Sequence, residues 1–213
     1  MSDEFSVIEF FQNSKLRFDV KSTVVPKSLR GSFNIESGLS LVKRLSKNVR
    51  ADDRIEAWLI HLMRSLSDKP GPTFLLSHNT NDFITFSSIE QEFALAELQK
   101  WLQLYLMSTQ CSEPIMWYGR FAYNAAVDMT KDKPSSALLK SIQGIIESAI
   151  EDERSPIDDH VVRHFGPDKL IPKDFLVLTR TLLLPLVQCQ VEGKMKKLME
   201  FMEEYVAAVG VSR

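Results

Sequence analysis

The sequence predicts a mixed α/β fold, rich in helix, with a small sheet. Three observations carry that expectation. Apolar residues recur at helical spacing in several runs, most cleanly at Leu138, Leu139, Ile142, Ile145, Ile146, Ala149 and Ile150. Two short apolar segments, 73–77 and 83–86, flank the polar turn His78-Asn79-Thr80-Asn81-Asp82 and read as a hairpin. The 213 residues, 44% of them hydrophobic, suffice for one large domain with a sizeable core. The expected organisation is a single domain over 1–213, closing in a helical tail over 190–213.

Residues 4–12 read as a short helix with Phe5, Ile8 and Phe10 or Phe11 inward. Residues 17–36 alternate loosely around Pro26 and Gly31, as short strands with turns do. Gly38 to Leu45 reads as a short helix or a loop. A helix over 51–67 follows, with Ile55, Trp58, Leu59, Leu62, Met63 and Leu66 at core spacing. Asp52 and Asp53 stand in its first turn, where the helix dipole favours negative charge. Asp68-Lys69-Pro70-Gly71-Pro72 breaks it.

After the hairpin, Ser87/Glu90 and Ser88/Gln91 have the spacing of a capping box. A long helix ending near Thr109 follows, its stripe formed by Leu95, Leu98, Leu102, Tyr105 and Leu106 and widened by Phe93, Ala96 and Trp101. A helix is expected near 119–129. Pro134 suits the first position of the next. A helix over 174–184 ends or kinks at Pro185. Met195, Leu198, Met199, Met202, Tyr205, Val206 and Val209 make a last amphipathic helix.

Charged residues make up 25% of the chain and the net charge is −2, so no global electrostatic grip on nucleic acid is indicated. Cys111 and Cys189 form no CxxC pair and suit a reducing compartment. The acidic start lacks the pattern of a secretory signal, and no apolar run reaches the length of a membrane span. A cytoplasmic location and no membrane contact are expected. The eight glycines form no phosphate-binding motif, and no cofactor is called for.

Five groups of side chains are candidates for chemistry or contact. Pro167-Asp168 with Glu192-Gly193-Lys194 fits the literal PD…ExK pattern of metal-dependent nucleases. There, carboxylates converge on Mg²⁺ and a lysine stands near the attacking water. In such a site the Asp and the Glu-x-Lys lie on adjacent strands, whereas here a helix fills the gap, and two loop segments account for the match as well. His160 and His164, at i and i+4, would share a helix face as zinc ligands do, but no third ligand is evident and hydrogen-bonding histidines explain them. His61 reads as a structural histidine. Lys43, Arg44, Lys47, Arg50 and Arg54 are the best basic cluster, either contacting phosphates or forming a solvated face. Trp117, Tyr118, Phe121 and Tyr123 would stack on bases or fill a core connector. Met195, Met199, Met202 and Tyr205 present a face for a partner or for their own domain.

Several segments, in order, resemble the carboxy-terminal domain of RecC, the gamma subunit of exodeoxyribonuclease V. They are Leu29-Arg30-Gly31-Ser32-Phe33; Val49 to Leu62, ending in Ala-Trp-Leu-Ile-His-Leu; Ala94 to Tyr105 with Glu113-Pro114-Ile115; Glu151 to Pro156 with Phe165-Gly166; and Phe175 to Leu186. The resemblance spans about 29–188. It implies a degenerate PD-(D/E)xK restriction-endonuclease-like core that has lost its metal ligands. It also implies a non-catalytic structural module of a bacterial helicase–nuclease that processes double-strand DNA ends. RecB- and RecD-like subunits would be its partners, with DNA contacted through the complex, and the isolated chain would be inactive. Two other readings stay open: an active Mg²⁺-dependent nuclease using Asp168, Glu192 and Lys194, and a stand-alone interaction protein mimicking the gamma subunit.

Overall fold

The computed structural model describes residues 13–21, 28–36, 40–45, 48–67, 70–77, 82–110, 119–131, 134, 136–141, 143–144, 175–194, 197–198 and 200. They form a helix-rich α/β chain with two compact units, one comprising 1–103 and 189–213 and the other 104–188.

In the first unit, β1 (Asn13–Lys21) and β2 (Ser28–Glu36) make a two-stranded antiparallel ribbon. A separate four-stranded sheet has the order β3-β4-β5-β6, from β3 (Ser40–Leu45), β4 (Thr73–Ser77), β5 (Asp82–Phe86) and β6 (Gln190–Lys194). β3 runs parallel to β4, and the remaining pairs are antiparallel. The connection from β3 to β4 is the helix α1 (Ala51–Ser65), as a parallel pair requires a crossover. The helix α2 (Gln91–Gln110) follows β5.

Local chemistry explains α1. Its first turn carries Asp52 and Asp53, and the Asp53 carboxylate accepts the Arg50 N–H at 3.0 Å, satisfying a donor that the helix start leaves open. The buried stripe is Ala57, Trp58, His61 and Leu62, joined by Arg64 and Ser65. Ile55, Leu59 and Leu66 are only half-buried. Strand pairing sorts the sheet into two faces. Thr73, Leu75, Ser77, Asp82, Ile84, Phe86, Gln190, Glu192 and Lys194 share one; Phe74, Leu76, Phe83, Thr85, Val191 and Gly193 share the other. α1 covers the first face: the Trp58 and Phe86 rings lie 5.3 Å apart, and those of His61 and Phe86 5.4 Å apart.

The 73–77 and 82–86 hairpin, α1 and α2 match the sequence expectation; three elements differ from it. Ser40–Leu45 is a strand, not a helix or loop. A register shift between Leu41 and Lys43 breaks the two-residue alternation by which a strand is recognised. On α2, Ala94, Glu97 and Leu98 are buried, while Phe93 and Tyr105, expected on the apolar stripe, are 39% and 64% exposed. Gln190–Lys194, expected as the start of a helical tail over 190–213, is instead the strand beside β5, held by its pairing there.

Gly193 has a steric reason to be glycine. A Cβ there would lie 2.6 Å from Cε1 and 2.8 Å from Cζ of Phe83, a ring itself 4% exposed. Gly193→Val is expected to lower stability by about 1–3 kcal/mol, because a confined ring and a strand backbone must both move. Urea titration of the two proteins checks this.

In the second unit, α3 (Gly119–Met129) packs against α4 (Phe175–Leu182). Ala122, Tyr123, Ala125 and Ala126 are buried on α3, and Phe175, Thr179 and Leu182 on α4. The small alanine side chains allow close helix approach. α5 (Leu184–Cys189) begins where α4 stops, with Pro185 as its second residue, so the break expected at this proline is present. Residues 136–141 and 143–144 are helical, with Leu138 buried. The rest of that periodic run, the segment 4–12 and most of the tail lie outside the described residues.

Candidate functional site

The polar residues concentrate where β6 meets β5 and the start of α1. β6 presents Gln190, Glu192 and Lys194 on the sheet face that α1 covers. α1 turns Arg54 towards the same strand, and its guanidinium forms an ion pair with Glu192. The Gln190 side-chain amide also donates to that carboxylate. Across the strand pair, Lys194 Nζ lies 2.6 Å from Asp82 Oδ1. Two carboxylates and two cations thus stand in one row and answer each other. The Glu192 side chain is 53% exposed and that of Lys194 71%, so each pair contributes under about 1 kcal/mol to stability. What the row fixes is the electrostatic state of the Glu-x-Lys segment: each charge already has a counter-charge.

Two turns along α1 from Arg54, His61 belongs to a buried polar cluster. His61 accepts the Thr73 hydroxyl at Nδ1, 3.1 Å away, and donates from Nε2 to the Ser87 carbonyl oxygen at 3.0 Å. The carbonyl can only accept, so Nε2 carries the proton. Both ring nitrogens are used, which is the structural histidine the sequence suggested. Burial, with the nearby Arg64 charge acting the same way against the Ser87 bond, lowers its pKa from 6.5 to about 4. Arg64, fully buried, donates from Nη1 to the Pro72 carbonyl oxygen at 2.8 Å and so ties α1 to the turn before β4.

The sequence-nominated residues fall into three groups. Glu192 and Lys194 stand on a strand, as a Glu-x-Lys site needs, but facing Asp82 and Arg54. Lys43 and Arg44 are on β3, Arg50 is an exposed residue at the start of α1, and Arg54 is the partner of Glu192. Asp168, His160, His164, Lys47, Met195, Met199, Met202 and Tyr205 lie outside the described residues. Leu198, on the same amphipathic run as those methionines, is buried within the chain. Tyr123 is buried on α3, in keeping with a core role. Among the described residues, no group of three or more His, Cys, Asp or Glu is placed to hold a metal ion, and no helix is long and apolar enough to cross a membrane.

Asp82 and Gln190 were not singled out by sequence reasoning. Asp82 was hidden in the polar turn of the hairpin. Gln190 carries no local signal, because it meets Glu192, two residues on, only when 190–194 is extended as a strand.

The family model for the RecC C-terminal domain matches residues 10–128, more than half of the chain. That span holds the ribbon, β3, α1, the β4–β5 hairpin, α2 and all but the last residue of α3. No curated protein matches the chain.

Proposed function

The chain belongs to the RecC C-terminal domain family, and from that premise we propose that it is a non-catalytic structural module of an exodeoxyribonuclease V-type helicase–nuclease. The family match is the observation that carries this reading. The module grips RecB- and RecD-like subunits and makes secondary contact with the DNA end the complex processes. Its sheet is a degenerate PD-(D/E)xK-type core. The pairing at β6 supports the loss of catalysis: Glu192 is engaged by Arg54 and Lys194 by Asp82. A Mg²⁺ ion recruited there would have to compete with a guanidinium for its carboxylate, and the lysine would have to leave Asp82 to reach a water. Lys43, Arg44, Lys47, Arg50 and Arg54 form the DNA-facing cluster, in which the charge of Arg54 is already offset by Glu192. Met195, Met199, Met202 and Tyr205 form the partner-facing stretch. The module works in the cytoplasm, without cofactor.

The test is size-exclusion chromatography of the chain mixed with the cognate RecB- and RecD-like subunits. Co-elution with either is expected. Separate elution of folded chain, under conditions where a full gamma subunit assembles, overturns the scaffold role. A parallel Mg²⁺-dependent DNA cleavage assay addresses the catalytic alternative. No cleavage is expected, whereas cleavage abolished by Asp168→Ala or Glu192→Gln would make the chain an active nuclease.

A further inference from the structure

Among the described residues β6 is the last strand of its sheet, so it has a neighbour on the β5 side alone. A strand edge of that kind can accept a strand from another chain. The bonds to β5 fix which groups the edge presents. Ser87 donates its N–H to the Cys189 carbonyl oxygen at 3.4 Å, and these two residues continue the β5–β6 register. Bonded and non-bonded pairs alternate along an antiparallel ladder. Thr85 with Val191 and Phe83 with Gly193 are therefore the bonded pairs, and the backbone groups of Glu192 and Lys194 point away from β5. The strand is also wet: Val191 is 41% exposed, and the side chains of Glu192 and Lys194 are 53% and 71% exposed.

Charge decides what fits this edge. Glu192 and Lys194 stand on either side of Gly193, an acid and a base placed symmetrically about a glycine. Laid antiparallel on a second copy with the two Gly193 residues opposite each other, each Glu192 faces a Lys194. Centring the pair on Glu192 or on Lys194 sets like charges opposite, and so does parallel pairing in register. The side chains have capacity for this contact. Both bonds that Glu192 accepts, from Arg54 and from Gln190, end on Oε1, which leaves Oε2 to accept another. Lys194 Nζ uses one of its N–H donors on Asp82. Gly193 adds no side chain at the non-bonded pair, where the two strands come closest. We infer that β6 is a self-association edge: two copies of the chain pair antiparallel through Glu192, Gly193 and Lys194, about a two-fold axis at Gly193. The contact is small, so the dimer is weak and concentration-dependent. The inference goes beyond the scaffold role and does not depend on it.

The experiment is sedimentation equilibrium of the full chain from about 1 to about 300 µM, with circular dichroism to report folding. The variants are E192K, K194E and the swap E192K/K194E. Wild type is expected to self-associate. Each single variant is expected to do so at least about tenfold more weakly, because both cross-strand pairs become like-charged. An equimolar mixture of E192K and K194E is expected to associate near the wild-type strength, since every lysine then meets a glutamate. The swap restores the same complementarity within one chain and is expected to behave as wild type. A wild-type chain that stays monomeric throughout overturns the inference. Undiminished association of the folded single variants also overturns it, because the contact would then lie elsewhere. A folded swap or a mixture that stays monomeric does the same, since opposite charges across β6 would not be what joins the copies.

Discussion

Replacing Trp58 with alanine is expected to be the most damaging single change in the described structure, costing about 3–5 kcal/mol. The indole is fully buried between α1 and β5, with the Phe86 ring 5.3 Å and the His61 ring 5.8 Å away. Its removal leaves a large cavity under rigid neighbours, because Phe86, Leu62, Leu75 and Ile84 are themselves at most 2% exposed and already packed. A loss of that size is a large share of the roughly 5–15 kcal/mol that holds a domain together. Trp58→Phe is expected to cost less than half as much. It keeps most of the ring volume and deletes the indole N–H, which is buried with no hydrogen-bond partner among the described residues. Chemical denaturation followed by circular dichroism measures both. Equal, small effects for the two variants would mean that α1 does not anchor the sheet.

The legible parts of this fold were those set by local pattern. α1 announced itself through 3.6-residue spacing and two first-turn aspartates, and the β4–β5 hairpin through two apolar runs around a polar turn. The Pro185 break follows from a ring that cannot continue a helix. Elements set by tertiary pairing were not legible. β6 reads Gln-Val-Glu-Gly-Lys, with one apolar side chain and no alternation to detect, and it is a strand because β5 offers it a ladder. β3 was hidden by its bulge. On α2 the spacing was right but the rotation was not: buried Glu97, whose carboxylate meets Lys100 Nζ at 2.5 Å, takes a core position that a hydrophobicity pattern assigns elsewhere.

The candidate site shows the same division. Glu192 and Lys194 were visible as a short motif. Their state was not, because Arg54 lies 138 residues from Glu192 in the chain and Asp82 sat in what read as turn. The motif alone suggested a nuclease, and the pairing argues for a charge-balanced strand edge. Family membership, by contrast, rests on the match over residues 10–128, beyond which the segments from Glu151 onward lie, and needs no knowledge of that edge.

The second large effect is on pH dependence. His61 has its pKa lowered from 6.5 to about 4, first by burial. The unfolded chain therefore binds a proton at this residue as pH falls below about 6.5, while the folded chain resists until about 4. The stability this residue contributes is complete above its ordinary pKa. It is lost progressively as pH falls through that window, with no further loss from this group below about 4. The difference is worth about 2–3 kcal/mol between about pH 7.5 and about pH 4.5. The geometry says why the charged form is excluded. A second ring proton at Nδ1 would force the Thr73 hydroxyl to turn round, between two aromatic rings and with buried Arg64 one turn along α1. His61→Gln gives up some packing and is less stable at neutral pH, but it cannot titrate. The drop between the two pH values is therefore expected to shrink by about 2 kcal/mol relative to wild type, because the remaining carboxylates and histidines are common to both proteins and cancel in the comparison. Denaturant midpoints measured at both pH values give that difference directly. Parallel pH profiles for the two proteins would mean that His61 is as easily protonated in the folded chain as outside it, and that the α1–β4–β5 junction is wetter than its buried rings imply.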